Sequence, residues 1–374
     1  MRPGVRAENG DPGSGAAETQ GGRIVAIQLL RALAALTVAA GHLAFAFADH
    51  LPGGLGIAPE ADGRSGQVAV MLFFVISGHV MVVSSESLFG RAGARRIFWR
   101  RRLVRVMPPY WIASGLLAVI FLTLFPQPID PARFGQSLLL IPYWPADGTL
   151  RAVPFLWVGW TLFYEMLFYA LFGLFIVWRR EAAIAGVAVV LAALCLAGLC
   201  VDPVNAPLFT ATRPVTLVFV AGMLLALWRA RNGCAPPWLR AAMLAAALAA
   251  WWGVPVPADP PAMGFGYLLW SGLPALLIAL AALSGPLALP AAGFVNRAGN
   301  MSYSLYLLHV PVAWFWLWFW GRLPGFDARP WDYLVSALAA TIAASWLFHR
   351  WIERPMTLAL NRRLRSPHGH ERSA

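Results

Sequence analysis

The chain has 374 residues, 59% of them hydrophobic and only 12% charged; a soluble protein has about 25% charged residues, so a soluble globular domain is excluded and an integral membrane protein is expected. The net charge of +12 comes from arginine with no lysine. Those arginines are spread as membrane topology requires, not gathered into a nucleic-acid surface, and no nucleic-acid partner is expected. Cys195, Cys200 and Cys234 show neither metal-ligand spacing nor a disulfide framework, so no metal is expected.

Residues 1–22 are polar, rich in Gly, Glu and Ala, and lack a cleavable signal pattern. They read as a disordered cytoplasmic tail. Residues 23–356 read as one transmembrane domain and 357–374 as a basic cytoplasmic tail. Within the domain, apolar runs predict an all-α polytopic bundle of about ten transmembrane helices. They lie near 24–47, 67–83, 107–125, 154–178, 182–201, 215–228, 239–252, 262–283, 301–320 and 332–349. The sixth and seventh are short. With the amino terminus inside, the loops and tails on that side carry 22 of the 29 arginines, and the alternation places both termini in the cytoplasm. The longest connection, 126–153, is proline-rich and external.

The first span carries Arg31 and His42. Eleven helical steps of about 100° make three turns plus roughly 20°, so the two share one face about 16 Å apart. Ionisable residues at such depth are expensive and point to a lined site or pathway. Around them Ala32, Ala34, Ala35, Ala39, Ala40 and Gly41 allow close helix packing or room for a slender ligand. In the second span His79 follows Phe73-Phe74-Val75-Ile76-Ser77-Gly78 and reads as structural. The loop Arg95 to Tyr110 holds the densest charge cluster. It anchors topology and meets anionic membrane lipids, and Arg102 and Arg105, three apart, also suit phosphate. In the fourth span Thr161, Glu165 and Tyr169 form a polar stripe at i, i+4, i+8; Glu165 near mid-membrane needs a partner, for which Arg31 or a histidine is available. In the ninth span Ser302, Tyr306 and His309 share a face. There is no Gly-rich phosphate loop and no nucleophile elbow.

These residues together resemble the acyltransferase-3 family over about 24–356. Arg31 and His42 resemble its first-helix Arg-x10-His signature, and Phe73 to Gly78 its second-helix motif, with His79 where an apolar residue is usual. Arg102-Leu103-Val104-Arg105 resembles its Arg-x-x-Arg motif, and Trp160 to Tyr169 the segment bearing its functional glutamate. Ser302 to His309 resembles its late-helix motif, and Glu353-Arg354-Pro355 its closing one. The resemblance implies transfer of an acyl group, usually acetyl, from acyl-coenzyme A to a carbohydrate or other hydroxyl acceptor, with acetyl-coenzyme A as cosubstrate and no bound cofactor. The opening motif is most similar to the branch that acetylates bacterial exopolysaccharide. The expected location is the bacterial inner membrane.

On that basis Arg102 and Arg105 are assigned to the donor's phosphates and Arg31 to its pantetheine or pyrophosphate region. His42 is the expected general base, Glu165 the group that orients it or balances its charge, and His309, Tyr306, Tyr169 and Thr161 are expected to bind or support the acceptor. Direct transfer and an acyl-histidine intermediate both fit. Intramembrane Arg, His and Glu also fit a proton-coupled transporter or glycan exporter, although the chain shows no repeated halves or matched broken helices.

Overall fold

The computed structural model describes residues 12–50, 63–145, 152–200, 205–258, 263–287, 289–325 and 329–363, with 12–23 and 47–50 as backbone only. Most of the predicted tails, and the external residues Asp49, Glu60, Asp62, Asp147 and Arg151 as side chains, lie outside this description. The described chain is helical, with no strand among the described residues. Lipid imposes this choice, because a helix satisfies its own backbone where no water can.

A helix occupies each of the ten predicted places. They are α1 (Pro12–His50), α2 (Arg64–Ser84), α3 (Ala94–Thr123), α4 (Trp160–Phe175), α5 (Arg180–Cys200), α6 (Leu217–Asn232), α7 (Pro237–Gly253), α8 (Phe265–Leu283), α9 (Ser302–Trp320) and α10 (Pro330–Phe348). Among the described residues, eight helices are long and apolar enough to cross a membrane. The other two places hold α7, which has 17 residues, and α9, whose apolar character is diluted by Ser302, Ser304, Tyr306 and His309.

The arginine cluster is not a loop. Arg95 to Arg105 form the first turns of α3, which continues through Pro108 and Pro109. Two prolines remove two intrahelical donors, and the turn beside them is braced from α9, where the Tyr303 hydroxyl donates to the Val106 carbonyl at 2.9 Å. The described part of the connection predicted to be external folds back on α3. It forms a short helix, Pro131–Leu138, capped by Asp130, and Tyr110 donates to the Ser137 carbonyl at 2.9 Å.

Small residues set the closest approaches. Ala26, Ala34, Ala35 and Ala39 of α1 are buried, letting α2 and α9 pack against it. The α2–α6 crossing is tighter still. A Cβ on Gly78 would lie 2.1 Å from the Phe219 carbonyl oxygen, and one on Gly222 would lie 2.1 Å from that of Val75. Backbones meet there with nothing between them, as small residues permit in membranes. His79, fully buried, sits at this crossing. The crossing fixes α2 against α6, while α1, α3, α4 and α9 enclose polar cavities on the other side of α2.

Candidate active site

The predicted residues other than His309 line two adjacent cavities, one toward each end of the bundle. The first lies toward the arginine-rich end and encloses about 900 Å³ counted to its open mouth. Arg31 from α1 and Arg102 and Arg105 from α3 line it, together with Glu165 and Tyr169 from α4. Three guanidinium groups around one opening form a site for an anion, since each offers forked donors matched to phosphate oxygens. Arg31, one of the partners expected for Glu165, shares this cavity with it and interacts with its charge. The Glu165 carboxylate accepts from the Ser77 hydroxyl at 3.1 Å and from the Tyr169 hydroxyl. Ser77, from the second-helix motif, was given no role by local spacing; what connects it to Glu165 is the packing of α2 on α4.

The second cavity lies at the other end and encloses about 880 Å³ including its mouth. His42 lines it with Gln67, Trp157 and Trp160. His42 Nδ1 lies 2.8 Å from His309 Nε2, and the two ring planes are nearly parallel and meet edge to edge, with centroids 5.0 Å apart. His309 is fully buried, and its Nδ1 lies 3.2 Å from the Leu305 carbonyl oxygen one turn back.

This chain of contacts determines the proton positions for neutral rings. A carbonyl only accepts, so His309 Nδ1 carries hydrogen and its Nε2 is a lone pair. That lone pair accepts from His42 Nδ1–H, which leaves the lone pair of His42 on Nε2. An imidazole in this tautomer has its basic nitrogen at Nε2. The orienting position expected of Glu165 is therefore held by His309. Glu165 lines the other cavity, with its Oε1 engaged by both Ser77 and Tyr169.

Val70 and Tyr306 line both cavities and form the partition between them. The Tyr306 hydroxyl donates to the Val158 carbonyl at 2.7 Å and meets Thr161 Oγ1 at 2.9 Å. Thr161 and Tyr169, expected beside the acceptor, instead line the arginine cavity. The stripe on α4 runs about 12 Å along its helix. Only its Thr161 end reaches the partition, and Tyr169 sits at the other. The first helix carries Arg31 in one cavity and His42 in the other. Among the described residues no group of three or more His, Cys, Asp or Glu is placed to hold a metal.

An acyltransferase-domain family model matches residues 24–350, which include both cavities. The chain belongs to the acyltransferase-3 family. Over 253 residues it is also 34% identical to the exopolysaccharide production protein ExoZ of Rhizobium meliloti (strain 1021), covering 65% of this chain and 75% of ExoZ. No solved structure matches it at comparable significance. As a member of the acyltransferase-3 family the protein is a membrane acyltransferase. The transporter alternative, which rested on intramembrane charge alone, gives way to that membership. The motifs carrying the resemblance also meet in space. Ser304 of the late-helix motif donates to Glu353 of the closing motif, and His349 Nδ1 lies 2.9 Å from the same carboxylate. Beside the arginine cavity, these two motifs tie α9 to the segment that follows α10.

Proposed function

We propose that the chain moves an acetyl group from acetyl-coenzyme A to a hydroxyl of an extracytoplasmic polysaccharide or its lipid-linked precursor, in the bacterial inner membrane with both termini cytoplasmic. The observation that carries this reading is the arrangement of three arginines in one cavity and an oriented histidine in the next, separated by a single side-chain layer. The acceptor class draws further support from the similarity to ExoZ, an exopolysaccharide production protein.

Arg102 and Arg105 hold donor phosphates at the cytoplasmic mouth, and Arg31 receives the start of the pantetheine arm. The arm then runs beside α1, whose rise from Arg31 to His42 is about 16 Å, and passes Tyr306 to bring the thioester beside His42. As the acceptor oxygen attacks the thioester carbonyl carbon, His42 Nε2 takes the hydroxyl proton. The C–S bond breaks, the ester forms, and the imidazolium returns its proton to the departing thiolate. The products are the acetyl ester and coenzyme A thiol. His309 stabilises the charged intermediate state of His42 by accepting its Nδ1–H throughout, as the orienting group of a catalytic triad does.

The test compares the acetyl content of surface polysaccharide in strains carrying the wild-type chain, His42→Ala, or no copy. Loss of acetyl ester in the latter two is expected. Acetylation unchanged in every surface glycan would overturn the reading.

A further inference from the structure

Resting on that acyl-transfer reading, we infer that the cavity beside His42 is a subsite for an uncharged sugar ring, laid on Trp157 and Trp160 and hydrogen-bonded by Gln67. None of these three residues was singled out as acceptor-binding by spacing along the chain.

Three observations carry the inference. The first is charge. The arginine cavity is lined by three guanidinium groups and a carboxylate, whereas no Asp, Glu or Arg lines the second cavity among the described residues. The nearest cation in sequence, Arg64, is directed elsewhere: it donates to the Val254 carbonyl at 2.7 Å and stands over the Trp270 ring at 5.2 Å. Among the described residues a phosphate or uronate meets no counter-charge in this cavity, and a buried unpaired charge is costly. A neutral hydroxylated ring meets none of that penalty.

The second is aromatic surface. Trp157 packs edge-to-face against His42 with centroids 4.3 Å apart, and Trp160 is held at 87° to Tyr164. Rigid indoles supply broad apolar area at little entropic cost, and the C–H face of a pyranose is the apolar side of an otherwise polar molecule. Tryptophans also collect at membrane interfaces as lipid anchors. Trp238 and Trp252, 70% and 79% exposed, fit that role, but Trp157 and Trp160 are turned inward to the cavity that holds His42.

The third is a fixed polar group. The Tyr267 hydroxyl donates to Gln67 Oε1, which sets the amide so that its nitrogen, with two hydrogens, serves the cavity. A few placed polar groups in an otherwise apolar and aromatic lining are what orient a small ligand.

The experiment uses the full chain purified in detergent, radiolabelled acetyl-coenzyme A, and as acceptor probe the alkali-de-esterified extracellular polysaccharide of the organism that carries this chain. Trp157→Ala and Gln67→Leu are each expected to raise the acceptor KM about tenfold with kcat much less affected, because uniform binding is lost. Donor affinity by calorimetry should be unchanged, and Trp157→Phe should recover most of the loss. If Trp157→Ala fails to fold, Gln67→Leu still decides the matter. Wild-type transfer with an acceptor KM unmoved in Gln67→Leu overturns the subsite alone. Wild-type protein that binds donor but acetylates nothing overturns the acyl-transfer reading and the subsite with it.

Discussion

Replacing His309 tests whether a buried neighbour sets the reactive tautomer of His42. His309→Phe keeps a planar ring beside His42, where the His309 centroid lies 5.0 Å away, but removes the acceptor 2.8 Å from Nδ1. His42 then has two options. It keeps Nδ1–H without a partner, at a cost of about 1–3 kcal/mol, or it moves the proton to Nε2 and turns its lone pair away from the acceptor hydroxyl. The first option corresponds to a fall in kcat of roughly 5- to 150-fold. The second approaches the whole general-base contribution, about 10²–10⁴-fold. His309→Gln brings a carbonyl oxygen to the same place, accepts the same N–H, and should stay within about tenfold of wild type. The assay follows thiol release and acetyl transfer by purified protein, with acetyl-coenzyme A affinity measured separately and expected to hold. Equal turnover by His309→Phe and wild type would refute the argument. So would His309→Gln as slow as His309→Phe, because the loss would then not be that of an acceptor.

Other consequences follow from the same geometry. Gly78→Ala sets a methyl 2.1 Å from a backbone oxygen that cannot swing aside, so α2 and α6 must separate; destabilisation at or above the usual overpacking cost of about 1–3 kcal/mol should appear as a lower melting temperature in detergent, whereas Gly115→Ala, with nothing within 4 Å, should not lower it. Arg102→Gln with Arg105→Gln removes two of the three guanidinium groups in the donor cavity, and calorimetry should show acetyl-coenzyme A binding weakened by at least about 100-fold, given about 1.5–3 kcal/mol for each charged hydrogen bond. Tyr306→Ala opens the partition tethered to Val158 and Thr161; acceptor-independent hydrolysis of acetyl-coenzyme A should rise relative to transfer, and a parallel fall in both would show that Tyr306 only supports the fold.

The sequence by itself determined the fold class and where the helices lie. That is local physics: each span satisfies its own backbone in lipid, and each apolar run announces itself without reference to its neighbours. Local periodicity also placed Arg31 and His42 on α1 and the Thr161–Glu165–Tyr169 stripe on α4. It stopped at the edge of each helix. Arg95 to Arg105 read as a loop because charge and two prolines masked a helix that α9 braces through Tyr303. Helical spacing says which residues share a face, but not which way that face turns or how deep it sits. Packing against neighbouring helices sets both, and only the tertiary structure decided them here. It paired His42 with His309 across 267 residues and Ser77 with Glu165 across 88. It also let α2 and α6 touch through Gly78 and Gly222, and set Tyr306 between an arginine cavity and a neutral aromatic one. A contact between two helices depends on the rotation and depth of both, and neither helix encodes the other's.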